Sequence, residues 1–168
     1  PDSLKRIESE AIRFCYNIES IHIPKSVECI EGIVAYDTPN LKTITVPPSI
    51  ASIGNFAFYG CELEKVSVVD LSAWCNISFA GEFSNPFRGK NNFYLNDEAV
   101  TDLVIPYGVT HIGDYAFQKC YSLTSITMPD SLISIGREAF YDCANVTNID
   151  FGNGLLNIGY GAFRYCNL

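Results

Sequence analysis

The sequence predicts an α/β repeat solenoid of about seven coils, each of roughly 23 residues with a short parallel strand and a short helical turn. Three observations carry that expectation. The string Ala-Phe-x-x-Cys occurs at 57–61, 116–120, 139–143 and 162–166, with a variant Ala-Ile-x-x-Cys at 11–15, and the last three copies step by 23 residues. A second string, apolar-x-apolar-Pro, ends at Pro24, Pro47, Pro106 and Pro129 and steps by 23 within each neighbouring pair. Each of these prolines stands ten residues before the Ala of the first string or its equivalent, so the two strings belong to one unit. Pro24 leads in this way to Val34-Ala35, a degenerate copy with Thr38 in the cysteine position.

On this spacing the units run at about 1–23, 24–46, 47–68, 69–105, 106–128, 129–151 and an incomplete 152–168. The whole of 1–168 reads as one solenoid domain, a fragment of a longer chain, with an irregular insertion at about 69–100. Within a unit, Leu123-x-x-Ile126-x-Met128 closes on period-two apolar residues, which predicts a short strand buried on one face. The proline that follows has no N–H to donate, so it ends the strand and turns the chain. Leu132-x-x-Ile135-Gly136 reads as a second short extended segment, closed by a glycine suited to positive φ or to a tight approach of the next coil. Glu8 and Glu31 replace that glycine in the first two units. After Gly113, Asp114 is expected to cap a helical turn that carries Ala116, Phe117 and Cys120 inward. One unit cannot bury its Ile, Leu, Phe and Cys side chains alone; stacking at roughly 4.8 Å per coil turns them into ladders.

Composition narrows the function classes. A net charge of −8 and only 11 Lys and Arg leave no basic footprint for nucleic acid or an anionic membrane. No apolar run approaches the ~20 residues of a membrane helix, so no membrane insertion is expected. Seven cysteines cannot all pair within the chain.

Taken together, the strand, the proline, the Ile-Gly step, the Ala-Phe stretch and the cysteine before the next Leu closely resemble the BspA-like leucine-rich-repeat family. The resemblance covers nearly the whole chain, including the insertion, where Asp70-Leu71-Ser72-Ala73-Trp74-Cys75, Asn85-Pro86 and Tyr94-Leu95-Asn96 leading into Val104-Ile105-Pro106 look like a recurrent irregular segment of that family. It implies a right-handed, curved leucine-rich-repeat superhelix in a surface-exposed or secreted, extracellular bacterial or protozoan protein. The function it implies is adhesion to host or microbial proteins or glycans; an architectural spacer with no ligand of its own is the alternative.

If a ligand binds, the first candidate surface is the set of outward strand positions, which alternate with the buried ones: Ser20 and His22, Thr43 and Thr45, Lys65 and Ser67, Asp102 and Val104, Ser125 and Thr127, Asn148 and Asp150. Small hydroxyl and amide groups on a rigid sheet suit a peptide or glycan held by many modest hydrogen bonds; they are equally compatible with plain solvent-facing strand residues. The second candidate is the aromatic insertion, with Trp74, Phe87 and Tyr94 as interface anchors or, on the other reading, as a plug for the core where the repeat is interrupted. Within it, Phe93-Tyr94-Leu95, Asn96-Asp97 and Glu98-Ala99-Val100 read as a hairpin.

The cysteines Cys15, Cys61, Cys120, Cys143 and Cys166 recur once per unit, so they read as small buried hydrophobes rather than a metal site; Cys29 and Cys75 fall outside the column and are expected to be the exposed ones. His22 and His111 lie in no Gly-x-Ser-x-Gly or His-Glu-x-x-His context, and His111 aligns with Cys29, Ser52, Ser134 and Asn157. No catalytic residue, metal or cofactor is expected. Asn76-Ile77-Ser78 and Asn145-Val146-Thr147 match the glycosylation sequon. The last unit reaches Leu168 ahead of its strand, which suggests end-to-end or edge association through an apolar end.

Overall fold

The computed structural model describes residues 3–87 and 92–168. In chain order the elements are β1 (Arg6–Ile7), β2 (Ser20–His22), β3 (Cys29–Ile30), β4 (Thr43–Val46), β5 (Ser52–Ile53), β6 (Lys65–Val68), α1 (Leu71–Cys75), β7 (Ser78–Phe79), β8 (Asn92–Leu95), β9 (Glu98–Ala99), β10 (Asp102–Val104), β11 (His111–Ile112), β12 (Ser125–Thr127), β13 (Ser134–Ile135), β14 (Asn148–Asp150) and β15 (Asn157–Ile158). They rise in two columns. The longer strands form the sheet β2-β4-β6-β8-β9 and then β10-β12-β14; the shorter ones form β1-β3-β5-β7 and β11-β13-β15. Among the described residues every pairing is parallel except that of β8 with β9.

The pairing stacks like on like, as the 23-residue step requires. Ile21, Ile44, Val66 and Phe93 lie in one row, and Leu103, Ile126 and Ile149 in another. These side chains face inward, where β-branched and aromatic groups pack well on a pleated surface. Each strand-ending proline accepts the N–H three residues on: Val27 at 3.0 Å, Ile50 at 3.3 Å, Val109 at 3.2 Å and Leu132 at 3.0 Å. The Ile-Gly step is explained by proximity. A Cβ on Gly54 would stand 2.2 Å from the Gly32 nitrogen, and one on Gly136 would stand 2.5 Å from the Asp114 nitrogen. In the unit with Glu31 in place of that glycine, the carboxylate pairs with Arg6.

The Ala-Phe stretch is a run of hydrogen-bonded turns, not helix. Tyr115 and Lys119 both adopt positive φ, 62° and 60°, and the same two positions do so in the other units outside the insertion, from Glu10 and Phe14 to Gly161 and Tyr165. The alternation aims every second N–H along the solenoid axis. Tyr115, Phe117 and Lys119 donate to the carbonyls of Arg137, Ala139 and Tyr141 at 2.9, 2.7 and 2.8 Å, and Glu138, Phe140 and Asp142 repeat the pattern onto the last coil. A helix would return those donors to its own preceding turn. Asp114 likewise serves its neighbour: its Oδ1 accepts from the Arg137 N–H at 2.7 Å. Inside, Phe117, Phe140 and Phe163 stack at 5.1 and 5.2 Å with planes within 5°.

Candidate binding surface

The outward positions of the longer strands form ordered rows, but in two blocks. Ser20, Thr43 and Lys65 share a row, as do His22, Thr45, Ser67 and Tyr94; Asp102, Ser125 and Asn148 start a new block beside Val104, Thr127 and Asp150. Between the blocks, the turn Asn96-Asp97, with φ of 49° and 67°, sends β9 back antiparallel against β8. Positive φ at both central residues is the geometry of a two-residue hairpin that matches strand twist, so the hairpin read from the sequence is present. It is not an appendage, however, because β8 is itself a strand of the main sheet. Leu95 and residues 98–102 line a notch of about 240 Å³ where β9 and β10 part.

Exposure divides the candidates. Ser20, His22, Asp102, Val104, Thr127, Asn148 and Asp150 are exposed, whereas Thr43, Thr45, Lys65 and Ser125 are half-buried. Ser67 is 2% exposed, so its hydroxyl is not presented to a ligand as the strand alternation suggests. The reason is the hairpin: Asp97 folds back over this row, its Oδ1 2.7 Å from Lys65 Nζ and 3.4 Å from Ser67 Oγ. Lys65 also lies 4.7 Å over the Tyr94 ring. Its hydrogen bond and charge hold the Asp97 carboxyl below its ordinary range. Across the break Asp102 accepts from Ser125 at 2.5 Å and Thr124 at 3.2 Å, and those hydroxyls hold its carboxyl low in turn. Lys65, Ser67, Asp102 and Ser125 are thus tied up internally, and the open polar groups of the face are those of Ser20, His22, Thr127 and Asn148. Asp97 carries no repeat signal; only the Asn-Asp turn hints at its place.

The expectation that Trp74 and Phe87 anchor an interface is corrected: both are 1% exposed, and of the three named aromatics only Tyr94 reaches the surface rows. The core-plug reading holds for them. Trp74 contacts Phe79 and Phe87, Phe87 contacts Phe93, each at 5.4 Å, and Phe93 meets Phe117 at 6.1 Å, so the insertion feeds its rings into the phenylalanine stack. The Ala116 carbonyl accepts from Trp74 Nε1 at 2.9 Å and from Asn85 Nδ2 at 2.7 Å. These two side chains stand in for the backbone donor that a regular coil supplies.

All seven cysteines are free thiols. Cys61, Cys143 and Cys166 each donate to the carbonyl 26 residues earlier, in Ala35, Phe117 and Phe140, at 3.0, 3.1 and 3.2 Å. Thr38 makes the same bond to Ile12 at 2.9 Å, so the copy that looks degenerate keeps the function of the position. Burial pushes the Cys61 thiol up to about 11 and those of Cys75 and Cys120 up to about 12, which keeps them protonated and poor nucleophiles. Cys75 is fully buried, contrary to its expected exposure, because it ends α1 on the core side. Cys29 is half-buried and accepts from Ser52 Oγ at 3.3 Å. His111 pairs with Ser134, and Ser134 with Asn157, the alignment read from the repeat, and it is exposed. Among the described residues no three His, Cys, Asp or Glu side chains converge as a metal site would need, and no helix is long and apolar enough to cross a membrane.

The model of the BspA type leucine rich repeat region matches residues 1–83 and 89–168 in six copies. The chain belongs to that family. A search of the curated proteins finds no match. Among solved structures, this BspA-type solenoid is similar to the leucine-rich repeat protein of T. pallidum, with a TM-score of 0.62 and 23% identity over 96% of this chain and 70% of that one. It is also similar to a leucine rich cell surface protein from Faecalibacterium prausnitzii, with a TM-score of 0.51 and 23% identity over 88% of this chain. The BspA-type chain spans 45% of that surface protein's length. At these identities the likeness is one of fold.

Proposed function

We propose that this solenoid is a surface-displayed or secreted binding module that takes a protein or glycan on the outward face of its longer strands. The observation that carries the reading is the set of open polar groups on rigid, in-register strands: Ser20 and His22 on β2, Thr127 on β12 and Asn148 on β14. Many modest hydrogen bonds from fixed positions favour an extended or repetitive ligand. The family, and the fold shared with a cell surface protein, support display outside the cell. Net charge of −8 disfavours polyanionic ligands.

The rival reading is a spacer that holds other parts of a longer protein apart. It is favoured by the internal bonds that occupy Lys65, Ser67, Asp102 and Ser125 on that face. The test is binding of the chain to immobilised matrix proteins and to a glycan panel, before and after His22→Arg with Thr127→Arg. Loss of binding with an unchanged unfolding midpoint supports the module; no binding by the unaltered chain, or binding indifferent to both substitutions, supports the spacer.

A further inference from the structure

We infer that the free edge of β10, at the break in the main sheet, is a strand-addition site for an extended basic peptide of a partner protein. The site is made of main chain rather than of outward side chains. Within the regular coils a long strand uses both of its edges. On one side of β12 the Thr124 N–H donates to the Thr101 carbonyl at 2.7 Å, and on the other the Met128 N–H donates to the Asp150 carbonyl at 2.9 Å. β10 differs: among the described residues it pairs with β12 alone, and β9 with β8 alone. The Thr101 carbonyl and the Ile105 N–H, which donates to Thr127 at 2.9 Å, both point to β12. Backbone groups alternate sides along a strand, so Leu103 points there too, and the N–H and C=O of Asp102 and Val104 point into the break. On the other wall Val100 donates to the Phe93 carbonyl at 2.9 Å, which turns the N–H and C=O of Ala99 away from β8 and toward the same break.

The open notch of about 240 Å³ lies along these groups. Sheet edges are commonly blunted by Lys or Pro, and neither β9 nor β10 carries one. A row of backbone donors and acceptors is matched by the backbone of another extended segment, and the neighbouring side chains select which segment. Asp102 and Val104 face outward together, so an added strand sets one side chain beside each of them. Beside Asp102 that side chain is Lys or Arg. Asp97 already has Lys65 as its cation at 2.7 Å, whereas Glu98 and Asp102 have none among the described residues. Beside Val104, which is 62% exposed, the matching side chain is apolar and β-branched. A second copy of this chain, at a net charge of −8, is a poor match for such an edge.

The probe is the capped peptide Thr-Lys-Thr-Val-Thr-Lys-Thr, added to the whole 168-residue chain. It sets Lys beside Asp102 and Val beside Val104 whichever way it runs. In the chain alone the amide hydrogens of Asp102 and Val104 should exchange with water freely and that of Leu103 slowly; saturating peptide should slow the first two by at least about tenfold. Val104→Pro removes one edge donor and leaves the β12 ladder intact, and proline is tolerated on an edge strand. It should weaken the peptide by about tenfold, and Glu in place of both Lys in the peptide should do the same. A peptide held by outward side chains instead would bind Val104→Pro as tightly and leave both amides exchanging freely. That result would overturn the edge site, as would a probe that does not bind. Where Val104→Pro does not fold, the exchange rates of the unaltered chain decide alone.

Discussion

The coils from Tyr115 onward and the insertion before them meet the same physical demand by opposite means. The coils of Tyr115 and Glu138 each hand three backbone N–H groups to the next, and their phenylalanine rings lie on the next ring. The insertion has no copy of itself to stack on. There the Ala116 carbonyl, whose counterparts in Ala139 and Ala162 take a backbone N–H, takes the Trp74 indole and the Asn85 carboxamide instead. A repeat spreads each contact over many equivalent positions, whereas the insertion concentrates it in a few side chains with no substitute. Single changes should therefore cost more in the insertion.

The largest effect is expected at Trp74. Large-to-small changes at buried aromatics cost about 3–5 kcal/mol, and Trp74→Ala should sit at the top of that range because it removes a donor along with the ring. Phe140→Ala should fall lower in the same range, with stacked rings on both sides left to relax inward. Urea unfolding of the two variants decides it; a costlier Phe140→Ala would break the contrast. Next comes Asn85→Ala, which strips donors from the Ala116 and Tyr115 carbonyls at a 1% exposed position and should cost roughly 1–3 kcal/mol. Asn145→Ala is its counterpart in a regular coil, removing an exposed carboxamide bond to the Tyr121 carbonyl at 2.7 Å, and should cost less than about 1 kcal/mol.

A smaller effect separates the chemistry of the thiol column from its volume. Cys143→Thr keeps a donor for the Phe117 carbonyl, as Thr38 does for Ile12, and should change stability by less than about 1 kcal/mol. Cys143→Ala leaves that carbonyl without its thiol and opens a small void, so it should cost more than the threonine. Equal costs would show that only volume matters at this position.

The repeat was legible because stacking forces equivalent residues to recur, so the 23-residue step and the inward Ile, Leu, Phe and Cys positions follow from spacing alone. The turn geometry was not. Positive φ at Ile33 or Tyr115 leaves no trace in the apolar pattern, since those residue types are chosen for the side chain they place and not for backbone freedom. Thr38 looked like decay of the pattern because side-chain identity, rather than donor chemistry, was compared. Trp74 and Phe87 were open to two readings because an aromatic-rich loop has the same composition whether it faces a partner or fills a gap. Ser67 obeyed the strand alternation and was still covered, by Asp97 from 30 residues away, a contact no local pattern encodes.

The two sides of the break also differ in how they hold a carboxylate, and acid should expose this with the smallest of the effects. Asp97 is held low by the Lys65 hydrogen bond and charge, Asp102 by the neutral hydroxyls of Ser125 and Thr124. A carboxyl whose folded pKa lies below its unfolded value of about 3.9 adds stability above that value and loses it as pH falls through the folded one. The urea midpoint should therefore drop below about pH 4, and Asp97→Asn and Asp102→Asn should each flatten the drop. Salt then separates them. At 1 M, where the screening length is about 3 Å, the contribution of the charge pair between half-buried Lys65 and exposed Asp97 should shrink, while that of Asp102, built on hydroxyl donors, should persist. The hairpin side of the break would then be an electrostatic clasp and the sheet side a hydrogen-bonded one; an equal salt response of the two variants would erase that distinction.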